Sequence, residues 1–249
     1  MKHYTFYFAI LSTILLSPSN ALFADEEIHW NYSGETGPEN WAKLAPEFAA
    51  CESGVNQSPI DISKTVSADL APLEFSYQSH GTNIVNNGHT VQINMAAGSW
   101  LRTGDEEFQL MQFHFHSPSE HQINGELFAL EGHFVHQNSS GALAVVGVLF
   151  RAGEWNEGFA QISAAAPEAI NQPEAIDLDI ADLNLYDNHE SYYRYAGSLT
   201  TPPCTEGVQW YVLKKPSHIA AEQAATFVNL IGEDARGPQQ INARVVLEH

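Results

Sequence analysis

The stretch QFHFHSPSEH, residues 112 to 121, gathers three histidines and a glutamate into ten positions. Read as a strand, QFHFH alternates its side chains between two faces. Gln112, His114 and His116 then point one way, Phe113 and Phe115 the other. Two imidazoles at i and i+2 on one face can bind a single ion, and a glutamine beside the first can orient its ring. LEGHFVH repeats the pattern, with Glu131, His133 and Val135 on a shared face. If the two strands are neighbours, His133 supplies a third nitrogen and Glu131 the acceptor that fixes its tautomer. Three neutral nitrogens without a fourth protein ligand describe an open zinc (Zn2+) site, where water takes the last position. An HxH pair alone is weak evidence; the recurrence at matching offsets carries the expectation. His29, His80, His121, His136, His189, His218 and His249 read as structural or exposed.

These groups need a rigid frame, and most of the chain reads as short strands separated by turns. Thr90–Met95, Phe108–Phe115, Leu143–Phe150 and Val208–Leu213 are expected strands. Asn86-Asn87-Gly88 is a turn signal. Helical patterns are fewer: one from about Asn156 to Ala164, and one from about Ile219 to Ile231, capped by Ser217 and closed by Gly232. The expected fold is mainly β, a single domain with a large twisted, mostly antiparallel central sheet and a few short peripheral helices. No repeat or linker divides the chain.

The 249 residues carry 30 acidic and 10 basic side chains, a formal net charge of -20. That surface repels phosphate backbones and anionic lipid, so it argues against nucleic-acid partners. At the N-terminus, Lys2 is followed by an apolar run from Phe6 to Leu16 and then by small and turn-forming residues, the three-part form of a secretory signal peptide. The run is shorter than the ~20 residues of a spanning helix; a buried N-terminal helix is the alternative. Residues 1–24 are expected to be removed, after Ala21 or Ala24, leaving a domain over 25–249 in the periplasm or secreted, with no membrane association. Two cysteines, Cys51 and Cys204, in an exported chain suggest one disulfide, two buried thiols being the alternative.

The chain resembles the α-class carbonic anhydrases, specifically the exported bacterial type. HWNYSGETGPENW, CESGVNQSPIDI, NNGHTVQ, QFHFHSPSEH, LEGHFVH, LAVVGV, YAGSLTTPPCTEGVQWYVL and ARGPQQINARVV carry the likeness nearly end to end. The resemblance implies a zinc lyase that hydrates CO2 reversibly to bicarbonate by attack of zinc-bound hydroxide. His114, His116 and His133 match the metal ligands, and Gln112 and Glu131 the residues that orient them. Thr200 matches the threonine that orients the hydroxide, Glu120 its acceptor, and His89 the proton shuttle to buffer. Val135, Val145, Leu199, Val208 and Trp210 match the apolar wall for CO2. Gln92 and Gln112 would face it as a wetter wall, with Thr201 completing the substrate pocket. Cys51 and Cys204 match the family disulfide, and the Ser58-Pro59 and Pro202-Pro203 bonds match cis positions. Bacterial members are often homodimers, which the resemblance leaves open here.

One departure stands near the C-terminus, where Asp234-Ala-Arg-Gly-Pro-Gln239 replaces the usual Asn-x-Arg-Pro-x-Gln. The family residue there uses its backbone carbonyl to hold a metal histidine. Two rival readings remain: His114, His116 and Glu120 also open a cupin metal motif, in which the glutamate ligates iron or manganese, and a non-enzymatic relative of the same fold could bind without catalysis.

Overall fold

Phe113, Phe115, Phe134, Val146, Val148 and Phe150 are almost fully buried on one face of the sheet, in the larger of its apolar clusters. The opposite face of the same strands carries the histidines, as period-two alternation requires. A computed structural model describes residues 28–180 and 191–249. The expected signal peptide, His3 and His189 lie outside the described residues.

Among the described residues, thirteen strands form one sheet. Ten of them run in the order Glu174–Asp179, His80–Asn86, Val91–Met95, Glu106–His116, Leu130–Gln137, Leu143–Ala152, Glu206–Leu213, Tyr192–Ser198, Val246–Glu248 and Thr65–Ser67, with Glu74–Ser76, Trp100–Thr103 and Ser217–Ile219 paired off that path. Most neighbours are antiparallel. The pairing of Leu143–Ala152 with Glu206–Leu213 is parallel, as are two shorter pairings. The four expected strands all form, the first trimmed to Val91–Met95. A bulge between Leu110 and Gln112 shifts the register just before the histidines.

Helix Glu157–Ala165 starts where expected, with the Asn156 side chain accepting from Phe159 N. The last helix differs: Ser217 does not cap it. Ser217–Ile219 is instead a short strand beside Leu143–Ala152, with Ser217 and Ile219 buried and His218 exposed. The helix begins at Ala221, and Gln223 Oε1 accepts from both Ala220 N and Asn156 N, tying the two helix starts together. Gly232, at φ 83, ends it with a bond to Val228 O.

The disulfide forms between Cys51 and Cys204. It joins the N-terminal cluster around Trp41 and Phe48 to the loop that carries Thr200. The Ser58-Pro59 and Pro202-Pro203 bonds are cis, and so is Ser117-Pro118, which the sequence did not signal.

Candidate active site

His114 lies directly opposite His133 in the antiparallel register, His116 opposite Glu131, and Gln112 opposite Val135. The neighbour relation that the two histidine motifs required is therefore present. Gln92 pairs with His114 on the other side, so one row crosses the sheet from Gln92 through His114 and His133 to Gly147.

Each histidine is held at one nitrogen. His114 Nδ1 donates to Gln112 Oε1 at 2.8 Å, His116 Nδ1 to the Asp234 carbonyl at 2.7 Å, and His133 Nε2 to Glu131 Oε1 at 3.0 Å. The remaining nitrogens are Nε2 of His114, Nε2 of His116 and Nδ1 of His133. One ligand nitrogen from each of the three lies within 4.8 Å of the others. His116 Nε2 is buried without a hydrogen-bond partner among the described residues. A tautomer-fixed set of three imidazoles with an unpartnered buried nitrogen fits zinc. Burial holds His114 well below the usual imidazole range, with His116 and His133 adding to the effect, and burial likewise lowers His133. Both shifts favour the neutral form that ligates metal; burial lowers His116 as well, but Glu120 and Asp234 outweigh it, so His116 is raised instead.

Glu131 does more than serve His133. Its Oε1 also accepts from His121 Nδ1 at 2.7 Å, and its Oε2 from the backbone N–H groups of Glu120 and His121. Burial pushes this carboxyl up, but His121, His133 and their hydrogen bonds outweigh it and hold the group well below the carboxylate range. His121 Nε2 in turn accepts from the Tyr195 hydroxyl at 2.7 Å, and Tyr195 meets Ser58 Oγ at 2.8 Å. The sequence reading took His121 as structural and named no partner. Its partners, Glu131 and Tyr195, sit on two separate strands, so no spacing signal around His121 could reveal them. His121, Glu131 and His133 are also close enough to hold a metal, but they already satisfy one another.

Glu120 is fully buried. Its Oε1 accepts from Arg236 N at 2.9 Å. The hydrogen bond expected from Thr200 to Glu120 is not formed: Glu120 Oε2 has no partner among the described residues. It leans toward the remaining ring nitrogens instead, 3.6 Å from His116 Nε2 and 3.9 Å from His133 Nδ1. Asp234 keeps the family's carbonyl contact to His116 and adds its own, Oδ1 accepting from Ser117 N at 2.7 Å. Burial pushes the Asp234 carboxyl up to about 7, against the pull of His116. Arg236 donates to Gln57 Oε1 and to the carbonyls of Ser58 and Cys51.

These groups floor a cleft of about 260 Å³. Gln92, Gln112, Val135, Val145, Leu199, Thr200, Thr201 and Trp210 all line it, as the resemblance implied, and His89 lies at its margin. Val208 is the exception. It sits opposite Gly197 and packs with Tyr195, Val145 and Trp210 in the cluster behind the wall, not among the lining residues. Trp30 and Tyr32, which sequence reasoning did not single out, also line it, and the Trp30 ring stacks on His89 at 3.6 Å and 6°.

A mainly β domain with three converging histidines at the floor of a half-apolar cleft defines the class. Residues 36–249 match the model of the eukaryotic-type carbonic anhydrases. A carbonic anhydrase of Pectobacterium atrosepticum is 41% identical over 235 residues, covering 94% of this chain and 96% of that one. One from Neisseria gonorrhoeae is 41% identical over 248 residues, covering 96% of each. The solved α-carbonic anhydrase of Thermovibrio ammonificans, in complex with sulfanilamide, superposes with a TM-score of 0.85 at 42% identity, covering 89% of this chain and 99% of that one. The chain belongs to the eukaryotic-type (α) carbonic anhydrase family, and that membership makes it a lyase acting on CO2 and bicarbonate. The cupin reading falls with it.

Proposed function

We propose that the chain is an exported zinc enzyme in which His114, His116 and His133 hold the metal. The observation that carries this reading is the convergence of three nitrogens whose opposite ring positions are each engaged by Gln112, the Asp234 carbonyl or Glu131. Zinc held there by His114, His116 and His133 would supply a hydroxide at neutral pH, because zinc lowers the pKa of a bound water to about 7.

The chain's own residues then orient and clear. Thr200 lines the cleft beside the histidines, and its hydroxyl would turn to Glu120 Oε2, which is buried and has no partner among the described residues. A threonine whose proton is committed to a carboxylate accepts from hydroxide, which turns a lone pair toward the substrate carbon. Val135, Val145, Leu199 and Trp210 offer CO2 an apolar wall. The proton left in each cycle would pass through cleft water to His89 and then to buffer. An imidazole of pKa near 6.5 suits that transfer.

Residues 1–24 act in this reading as a signal peptide, and the mature domain over 25–249 works in the periplasm or outside the cell. The disulfide suits such a compartment.

Zinc analysis and stopped-flow CO2 hydration on the chain from Asp25 test the proposal. Stoichiometric zinc and fast hydration, both lost in His116→Ala, are expected. A folded, zinc-loaded protein without hydration would sink the enzyme mechanism, and iron or manganese would sink the metal assignment. N-terminal sequencing of exported protein tests cleavage after Ala21 or Ala24.

A further inference from the structure

The turn that carries His89 is built by its own asparagines. Asn86 Oδ1 accepts from Gly88 N at 3.0 Å, and Asn87 Oδ1 from His89 N at 2.9 Å and Thr90 N at 2.8 Å. Gly88 sits at φ 83, a left-handed conformation that glycine adopts without cost. These local bonds shape the turn but do not fix where it stands against the cleft. Trp30 contacts it from one side through the ring stack.

A second segment contacts it from elsewhere. Ile170 forms an isolated parallel bridge with Asn86, and Asn171 N donates to Asn86 O at 2.8 Å. Ile170 Cγ2 comes within 3.3 Å of the point where a β-carbon on Gly88 would stand, so the side chain lies on the bare glycine. Ile170 is 59% exposed and belongs to none of the apolar clusters of the core. Its packing is spent on this turn. Together with Trp30 and His89 it borders a small hollow of about 200 Å³ beside the cleft mouth.

We propose that Ile170 is a positioning residue for His89: by covering Gly88 it holds the turn, and with it the imidazole, against Trp30 at the cleft margin. The inference rests on the reading of His89 as proton shuttle for its consequence in turnover. It does not rest on that reading for the placement of the ring. Because Ile170 is so exposed and lies outside the core, its truncation leaves the fold intact.

The test is Ile170→Ala, with Leu127→Ala, an exposed residue at 49%, as control. In protein with 13C-labelled histidine, the His89 ring resonance, assigned by its loss in His89→Ala, reports the ring current of Trp30. That shift should shrink in Ile170→Ala and persist in Leu127→Ala. In weak buffer kcat should fall about threefold with kcat/KM unchanged, and imidazole should restore it. An unmoved resonance overturns the proposal. So does a moved resonance with unchanged kcat when His89→Ala itself lowers kcat. If His89→Ala leaves kcat unchanged, the shuttle reading fails separately, and the resonance alone decides whether Ile170 places the ring.

Discussion

His121 Nδ1 lies 2.7 Å from Glu131 Oε1, the same oxygen that His133 Nε2 reaches at 3.0 Å. One buried carboxylate thus serves a histidine of the converging trio and a histidine outside it. The second contact anchors the first, because Tyr195 and Ser58 hold His121 from behind. His121→Phe leaves this carboxylate short of a partner in a dry site. It should destabilise the zinc-free protein by about 3 kcal/mol, read by urea unfolding, while Tyr195→Phe costs less.

Glu131→Gln keeps the shape but removes the charge that His133 donates to. Zinc affinity should fall roughly 10- to 100-fold, measured by competition with a chelator. An unchanged affinity would show that His133 needs no anionic partner.

In the proposed mechanism Thr200 and His89 act at different stages, so their substitutions should separate kinetically. Thr200→Val loses the orienting hydroxyl and should lower kcat/KM about 100-fold. His89→Ala should lower kcat in weak buffer by about 10-fold or more, leave kcat/KM intact and respond to added imidazole.

His136 is buried on the far face of the strand, with its Nε2 2.7 Å from the Tyr77 hydroxyl. Burial, only partly opposed by hydrogen bonds to the Ala144 and Phe134 backbone, lowers its pKa to about 4. The unfolded chain takes up this proton first, near about 6.5. Stability from this group is therefore complete above that pH, declines as pH falls toward 4, and levels off below. The loss reaches about 3 kcal/mol. Urea midpoints between pH 4 and 7 should show it, with a flatter profile in His136→Gln.

The Cys51–Cys204 bridge closes a separation of 153 residues. In the chain-entropy model its loss costs about 5 kcal/mol, an upper figure. It also holds the Thr200 loop, since Cys204 N donates to Thr201 O and Leu199 N to Thr205 O. The double Cys→Ser variant should unfold at lower urea and lose kcat/KM before it loses its fold.

Gly197 faces Ser58 Oγ, which a β-carbon would approach to 2.2 Å, and Trp210 Cδ1, to 2.7 Å. Gly197→Ala should destabilise by about 2 kcal/mol through overpacking, as a calorimetric Tm would show.

Alternation in QFHFH and LEGHFVH was enough to place Gln112, His114 and His116 on one face of their strand and Glu131 and His133 on one face of theirs, because strand period is a local property. It was also enough to separate the phenylalanine face that became the core. The start of the last helix was not legible: Ser217 has the chemistry of a cap, but sheet pairing with Phe150 claims it. Val208 follows strand period onto the face of Trp210, yet only the packing of Tyr195 and Gly197 decides that it lies behind the wall.

By itself, then, the sequence determined which side chains could ligate, which face they share and which family pattern they follow, since these depend on residue type and short spacing. The tertiary structure decided the rest: that His114 stands opposite His133, that Asp234 keeps the carbonyl contact despite replacing asparagine, and that His121, Tyr195 and Ser58 brace Glu131. Those relations join residues far apart in the chain, and only sheet register and loop closure bring them within hydrogen-bond reach.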